Sequence, residues 1–266
     1  MAELVGITGS HGHIGGSLLK KLTFTGANVV ALDRSGNIPG NIQTVFDTAA
    51  YGNKYDQTDE DEIFKANVDR VIRLLKNSED KKSIILTSSS SVLLPVQTRY
   101  SKSKSDMERI VNVWFKMTGA NVVIVRPSTV VGVGEDTNHL IPKLIHSAFT
   151  GEPMDFVGGP THDYIDVDDV VDAMIYLSNK AKSLKGQVFN VSFGVSIPNE
   201  LVKDIVAEEV GKQPNVRRVK SLRNYDTTKW LVPSDKLRAL GWRPKKNLFV
   251  SIKEMVADYK LQHELT

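Results

Sequence analysis

Residues 4–22 constrain the fold more than any other stretch of the chain. Leu4-Val5-Gly6-Ile7 is a short apolar run. Thr8-Gly9-Ser10-His11-Gly12-His13-Ile14-Gly15 follows it directly, and Gly16-Ser17-Leu18-Leu19-Lys20-Lys21-Leu22 continues at helical spacing. A strand, a glycine turn and a helix N-terminus in this order form the unit that cradles a dinucleotide pyrophosphate. Gly9 permits the tight turn, Gly12 lets the backbone approach phosphate, and Gly15 lets helix and strand pack closely. The unpaired N–H groups and the positive end of the helix dipole face the anion. His13 and Ile14 complete the expected cofactor loop. His11 and His13 need only flank this backbone, so no metal is expected.

Val29-Val30-Ala31-Leu32-Asp33 reads as the next strand. It ends in an acid close to the place, about 20 residues beyond the glycines, where a dinucleotide site needs one. A carboxylate there accepts hydrogen bonds from ribose hydroxyls and repels a 2′-phosphate, which favours NAD over NADP. Arg34 can accommodate that phosphate and keeps NADP open. Asp33 as a simple loop-capping acid is the alternative.

The 266 residues suffice for a sizeable core and one or two lobes. A formal net charge of +3 is too small to argue for nucleic acid. Basic residues cluster from Lys212 to Arg223 and from Arg243 to Lys246, as solvated surface or, for the first cluster, facing an anionic ligand. Cysteine is absent, which rules out disulfides, thiolate metal sites and a cysteine nucleophile. No signal peptide or bilayer-length apolar run is present, so a cytoplasmic protein with no membrane partner is expected.

Strand and helix patterns alternate through the first two thirds, which predicts a doubly wound α/β fold, Rossmann-like, with a parallel sheet. Residues 83–87 and 121–127 read as buried strands, and residues 61–75 and 100–117 as helices. After Gly132 turn signals multiply. The expected division is a dinucleotide-binding domain over 1–132, to which 164–191 returns, and a smaller C-terminal substrate-binding lobe from 133–163 and 192–266.

Tyr100 and Lys104 stand at i and i+4, on one helix face. A free phenol, with a pKa of about 10, is a poor base at neutral pH. A neighbouring ammonium, helped by a cationic nicotinamide, favours the phenolate, which can take a proton from a sugar hydroxyl. In reverse, the phenol protonates a ketone oxygen. A hydroxyl from the preceding strand end, Ser88-Ser89-Ser90-Ser91, can hold that oxygen.

With these motifs in this order the chain resembles the extended short-chain dehydrogenases/reductases, the NAD-dependent epimerase/dehydratase group acting on nucleotide sugars. The resemblance runs from the glycine loop through Asn67-Val68, Ser88-Ser89 and Tyr100 with Lys104 to Arg126-Pro127-Ser128-Thr129-Val130-Val131-Gly132. It continues with Asp163-Tyr164-Ile165-Asp166-Val167-Asp168-Asp169-Val170 and Leu240-Gly241-Trp242-Arg243-Pro244. It implies Ser89 as the catalytic hydroxyl, Tyr100 as acid/base, and Lys104 as the residue that binds the nicotinamide ribose and lowers the Tyr100 pKa. Ala49, Ala50 and Asn67 would line the cofactor cleft, with Pro127 near the nicotinamide. Arg223 would meet the substrate diphosphate or, alternatively, be a surface charge.

The chain also departs from the family pattern. The stretch between Asp33 and Asp47 is too short for the strand and helices usual there, so the sheet lacks a strand or residues 42–46 serve a different one. The stretch from Ser89 to Tyr100 is also short, a trimmed loop that lets Ser88, Ser90 or Ser91 replace Ser89. Thr129 replaces a common substrate-binding Asn, and His162 replaces a common Arg. Ser88, Ser89, Thr129, His162 and Arg223 are the expected substrate contacts. No acid follows Ser89, which disfavours dehydration. The reading is therefore a nucleotide-sugar epimerase acting by transient oxidation. A sugar dehydrogenase or reductase is the alternative, and a non-catalytic dinucleotide sensor ranks third. The resemblance also implies a homodimer through helices 61–75 and 100–117.

Overall fold

The computed structural model describes residues 4–54, 56–78, 82–221 and 229–264. A six-stranded parallel sheet lies at its centre. Its strands are β1 (Leu4–Thr8), β2 (Asn28–Leu32), β3 (Thr44–Asp47), β4 (Ser83–Thr87), β5 (Val122–Pro127) and β9 (Val188–Val191), in the order β2-β1-β3-β4-β5-β9. Successive side chains point to opposite faces, and both faces are covered, which is why these strands read as unbroken apolar runs. Phe46, Ile85 and Val123 join one core with residues of α1 (His13–Phe24), α6 (Val167–Ser178) and α7 (Ala181–Leu184). Their neighbours Val45, Ile84 and Val122 join the opposite core with α3 (Arg70–Lys76) and α4 (Arg99–Thr118).

The short spacing before Asp47 has a clear structural outcome. Thr44–Asp47 pairs with β1 on one side and β4 on the other. No strand lies beyond β2 among the described residues, so β2 is the sheet edge and its residues are partly exposed. Of the two readings of the short spacing, the structure shows the second: this segment serves a central strand. The connecting loop is tied to α3 instead. Arg73 Nε donates to Ser35 O at 3.2 Å and Asn77 Nδ2 to Gly36 O at 3.1 Å.

Local sequence sets the ends of α4. The Thr98 hydroxyl accepts the Ser101 N–H at 3.1 Å, and Gly119 closes the helix at φ 67°, a left-handed conformation suited to glycine. Met107 and Val111 of α4 are buried, whereas Met117 is 77% exposed. The helix expected over 61–75 is α2 (Glu60–Phe64) continued by a π-helical turn (Lys65–Asp69) into α3. Such turns insert a residue into the helical ladder and re-aim the side chains around it.

A second core is built from β6 (Thr129–Val131), β8 (Thr161–Asp166) and β10 (Ser196–Pro198), in the order β10-β8-β6, with β7 (Met154–Phe156) paired to β11 (Val216–Arg218). The helices α5 (Leu140–Thr150), α8 (Asn199–Val210) and α10 (Leu248–Gln262) pack around it. The short α9 (Asp235–Ala239) lies against β9. The acidic motif 163–169 joins the two cores. Asp163, fully buried, accepts N–H bonds from Phe193, Gly194 and Val232. Asp166 caps α6 and accepts from Ser251 Oγ at 2.6 Å, and Asp169 accepts from the Lys245 and Lys246 N–H groups. The second basic cluster is thus partly absorbed by this motif. Among the described residues no helix is long and apolar enough to cross a membrane.

Beneath the C-terminal ends of β1 and β3, Asp47 is paired with Arg70, both almost wholly buried. Thr8 Oγ1 also donates to Asp47, at 2.5 Å. Arg70 adds bonds to the Ala49 and Ala66 carbonyls, at 2.8 and 2.9 Å. Removing one partner of such a pair strands the other charge in the core. Arg70→Met should therefore lower the unfolding free energy by about 3–5 kcal/mol. Urea denaturation checks this, and a loss below about 1 kcal/mol would show that the pair does not anchor the fold.

Candidate active site

The glycine loop is built by close backbone approach. Gly9 adopts φ 68°, and a Cβ there would lie 2.7 Å from Ala49 N. A Cβ on Gly15 would collide with the Gly9 carbonyl and lie 2.5 Å from Thr48 Oγ1. Any side chain at either position would push α1 away from the strand ends. Gly12 is the N-cap of α1, makes no side-chain cap, and is followed by a first turn free of acids. The first N–H groups of a helix have no partner within it, so this end suits an anion. Ile14 is partly buried here against the core shared by β1 and α6.

His13 begins α1 and faces the Gly132–Gly134 loop. Its Nε2 is sealed from solvent without a partner, and burial pushes its pKa down to about 4 against the Val133 and Gly132 backbone. His13 is therefore a neutral wall of the loop. Asp33 and Arg34 are exposed at the end of β2. Asp33 Oδ1 accepts from Ser35 N at 2.8 Å and Ser35 Oγ at 2.5 Å, and these bonds hold its pKa below the usual carboxylate range. Asp33 does cap its loop, and its second oxygen is left to accept further bonds.

Ala49 and Ala50 follow β3, with the Ala49 N–H donated to Thr8 Oγ1 at 3.3 Å. Asn67, wholly buried on the π-helical turn, grips the next backbone: its Oδ1 accepts from Tyr51 N at 3.0 Å and its Nδ2 donates to Tyr51 O at 2.7 Å. Asn67 Nδ2 also reaches Ser103 Oγ of α4 at 2.9 Å. It thus links the Ala49-Ala50 turn to the Tyr100/Lys104 helix.

Lys104 is buried and its Nζ donates to Thr87 O at 2.8 Å, lying 5.9 Å from the centre of the Tyr100 ring. Burial lowers the Lys104 pKa to about 8, while the charges of Asp47 and Glu108 raise it and that of Arg70 lowers it. Burial also raises the Tyr100 phenol to about 12. Ser89 starts a 3₁₀ turn (Ser90–Leu93) that packs on α4, and its Oγ accepts from Ser91 N and Ser91 Oγ at 3.1 and 2.9 Å. Ser88 Oγ and Thr87 Oγ1 are buried without partners at the same strand end. Pro127 closes β5 beside Val191 of β9.

On the second core, Thr129 Oγ1 and His162 Nδ1 lie 3.5 Å apart. The His162 ring is 5.3 Å from the Trp230 ring. Arg223 falls outside the described residues. Sequence reasoning missed Asp47, Arg70, Glu108 and Trp230. Arg70 had one signal: at helical spacing it lines up with the apolar Ile63 and Leu74, on a face where only a partnered charge can be buried.

The Lys104 shift makes a stability prediction. Its pKa is lowered on folding, so between about 8 and 10.5 the unfolded chain holds a proton that the folded one has lost. Stability contributed through this group rises with pH across that window. Below pH 8 the full cost of burying the ammonium is present. Lys104→Met should therefore be more stable than the parent at pH 7, and the gap should narrow as pH rises through the window. Urea midpoints at several pH values check this, and a gap constant with pH would refute it.

Residues 41–192 match the model of the NAD dependent epimerase/dehydratase family. The GDP-6-deoxy-D-talose 4-dehydrogenase of Aggregatibacter actinomycetemcomitans is 29% identical over 147 residues, which is 53% of this chain and 48% of that protein. The chain spans between a quarter and about half the length of the curated relatives it matches first. Among solved structures, MoeE5 in complex with UDP-glucose and NAD superposes with a TM-score of 0.87 at 25% identity, covering 97% of this chain and 99% of that one. The UDP-glucose 4-epimerase of Thermus thermophilus in complex with NAD gives 0.84 at 22% identity, with the same coverage. The matched family model spans more than half of the chain, and the chain belongs to the NAD dependent epimerase/dehydratase family.

Proposed function

We propose that this chain binds NAD and acts on a nucleotide sugar as an epimerase, by transient oxidation of a sugar hydroxyl with Tyr100 as acid/base. The observation that carries the reading is the Tyr100/Lys104 pair, with its ammonium buried and fixed on Thr87 O beside strand-end hydroxyls. The residues present fit the cofactor. Gly9 and Gly15 leave no room for a Cβ, and α1 opens without a side-chain cap. Asp33 favours NAD through its remaining acceptor oxygen. A similar protein was solved with UDP-glucose and NAD, and a relative is a GDP-6-deoxy-D-talose 4-dehydrogenase, which supports the substrate class.

When bound, NAD supplies the hydride acceptor and a cationic ring that favours the phenolate. Without it, burial keeps Tyr100 protonated, and the phenol is set as an acid. With added positive charge, Tyr100 takes the proton of the sugar hydroxyl and returns it when the ketone is reduced. Lys104 holds the ribose and balances the phenolate. Ser89, or Ser88 with its unpaired hydroxyl, holds the reacting oxygen. Thr129 and His162 meet the sugar or diphosphate.

A dehydrogenase or reductase is the second reading, favoured by the trimmed 89–100 loop and by the 4-dehydrogenase relative. A homodimer through α2, α3 and α4 is part of the proposal, supported by exposed Phe64, Val113 and Met117 on α2 and α4.

Tyr100→Phe should cut turnover by about 10²–10⁴-fold while NAD binding is retained. Steady-state assays with UDP- and GDP-sugars, paired with calorimetric NAD titration, check this, and undiminished turnover would sink the mechanism. Native mass spectrometry of the purified protein separates the two readings. Retained NAD is expected for the epimerase, a cofactor-free protein that binds NAD weakly for the alternative, and the same spectrum counts the chains.

A further inference from the structure

Two arms leave opposite flanks of the glycine loop. One belongs to the sheet, between β3 and α2, and the other to the second core, between β6 and α5. The first arm starts against the loop itself, where a Cβ on Gly9 would lie 2.7 Å from Ala49 N. Arg70 donates to the Ala49 carbonyl at 2.8 Å, Asn67 grips both polar groups of the Tyr51 backbone, and Gln57 Oε1 accepts the Gly52 N–H at 2.8 Å. The second arm passes the other flank, where a Cβ on Gly134 would touch His13 Cδ2 at 3.9 Å. It is braced by Glu135, whose N–H donates to Gly132 O at 3.1 Å and whose side chain, 4% exposed, lies 3.1 Å from His139 Nδ1 where α5 begins.

The arms meet in an ion pair between the Lys54 ammonium and the Asp136 carboxylate. Asp136 also accepts the Asn138 N–H at 2.9 Å, and Lys54 with this N–H pulls its pKa down to about 2, so the pair is charged throughout the neutral range. Loop, first arm, ion pair and second arm thus form a closed circuit that includes the uncapped start of α1. Each arm has bonds of its own, so the pair is not what folds either one.

We propose that the Lys54–Asp136 pair is a strap across the dinucleotide cleft that retains the bound cofactor between turnovers. The inference rests on the NAD-dependent reading given above and deepens it. An epimerase keeps its NAD, because the same cofactor takes the hydride and gives it back, whereas a dehydrogenase has to open such a closure once per turnover. The charges suit the place. A lone carboxylate on this arm would repel a diphosphate at the start of α1, and the Lys54 ammonium cancels it. The Lys54 and Asp136 side chains are 48% and 18% exposed, so the pair sits where solvent and salt reach it and belongs to neither core.

The test loads the full chain with NADH and chases it with excess NAD while fluorescence follows release. Lys54→Met should release NADH about two- to fivefold faster, the range set by one partly exposed ion pair. Lys54→Arg should restore the parent rate, and added salt should speed release more in the parent than in Lys54→Met. Lys54→Met/Asp136→Asn should release as fast as the single variant. A return to the parent rate there would mean that an unpaired Asp136 only repels the cofactor, and it overturns the strap. The course of the strap is tested separately. The chain has no cysteine, so Lys54→Cys/Asp136→Cys carries a single thiol pair, which a short bis-maleimide can join. Joined with NAD present, the protein should hold NAD through gel filtration, and joined without it, the protein should exclude added NAD. Free exchange in the joined protein overturns the proposal, and so does unchanged release from Lys54→Met. A parent chain that binds neither NAD nor NADH overturns the cofactor reading and the strap with it. A working strap on a chain that turns over no nucleotide sugar upholds the strap and overturns the epimerase reading instead.

Discussion

The buried Asp47–Arg70 pair is the interaction on which the rest of the site depends. It sits where β1 and β3 end, and it ties Thr8, Ala49 and the helix α3 to one point. Two charges in a core are tolerated only when their geometry satisfies both, and here Thr8 and two carbonyls complete the set. That network fixes the turn after β3, against which Gly9 packs too closely for any side chain. The floor of the dinucleotide cleft and the field around Lys104 therefore share one anchor. Replacing the whole network by apolar side chains could preserve stability but would remove a negative charge from the ammonium.

A second constraint joins the sheet to the smaller core. The acidic run 163–169 uses carboxylates on backbone N–H groups, on Ser251 and on the Lys246 ammonium. Asp163 ties the loop after β9 to the segment that carries Trp230, and Trp230 N donates to Thr161 Oγ1 next to His162, so His162 and Trp230 are set against each other by backbone bonds. Alignment of the proposed substrate contacts is thus a property of buried backbone capping. At Lys104 an ammonium is held in a place that penalises its charge, a departure from stable packing that suits its proposed role.

Much of the fold was legible in order and spacing. The glycine loop, the buried strand runs and the Thr98 and Gly119 boundaries of α4 follow from local rules, because each needs only a short segment to be satisfied. The Tyr100/Lys104 pairing was legible for the same reason, since a helix face is a local object. The short stretch between Asp33 and Asp47 signalled a departure there, but which strand Thr44–Asp47 would become depended on partners distant in sequence.

The sequence by itself determined the parallel α/β class, the dinucleotide cradle and the helix that carries the phenol and ammonium. These rest on backbone conformation and on periodicity, which a chain writes residue by residue. Only the tertiary structure decided which charges meet. It placed Arg70 on Asp47 and Arg126 on Glu108, from separate strands and helices brought together by the fold. Long-range electrostatic pairing leaves little local trace: the place of Arg70 on its helix hints that its charge is buried, but nothing near it in sequence names the partner.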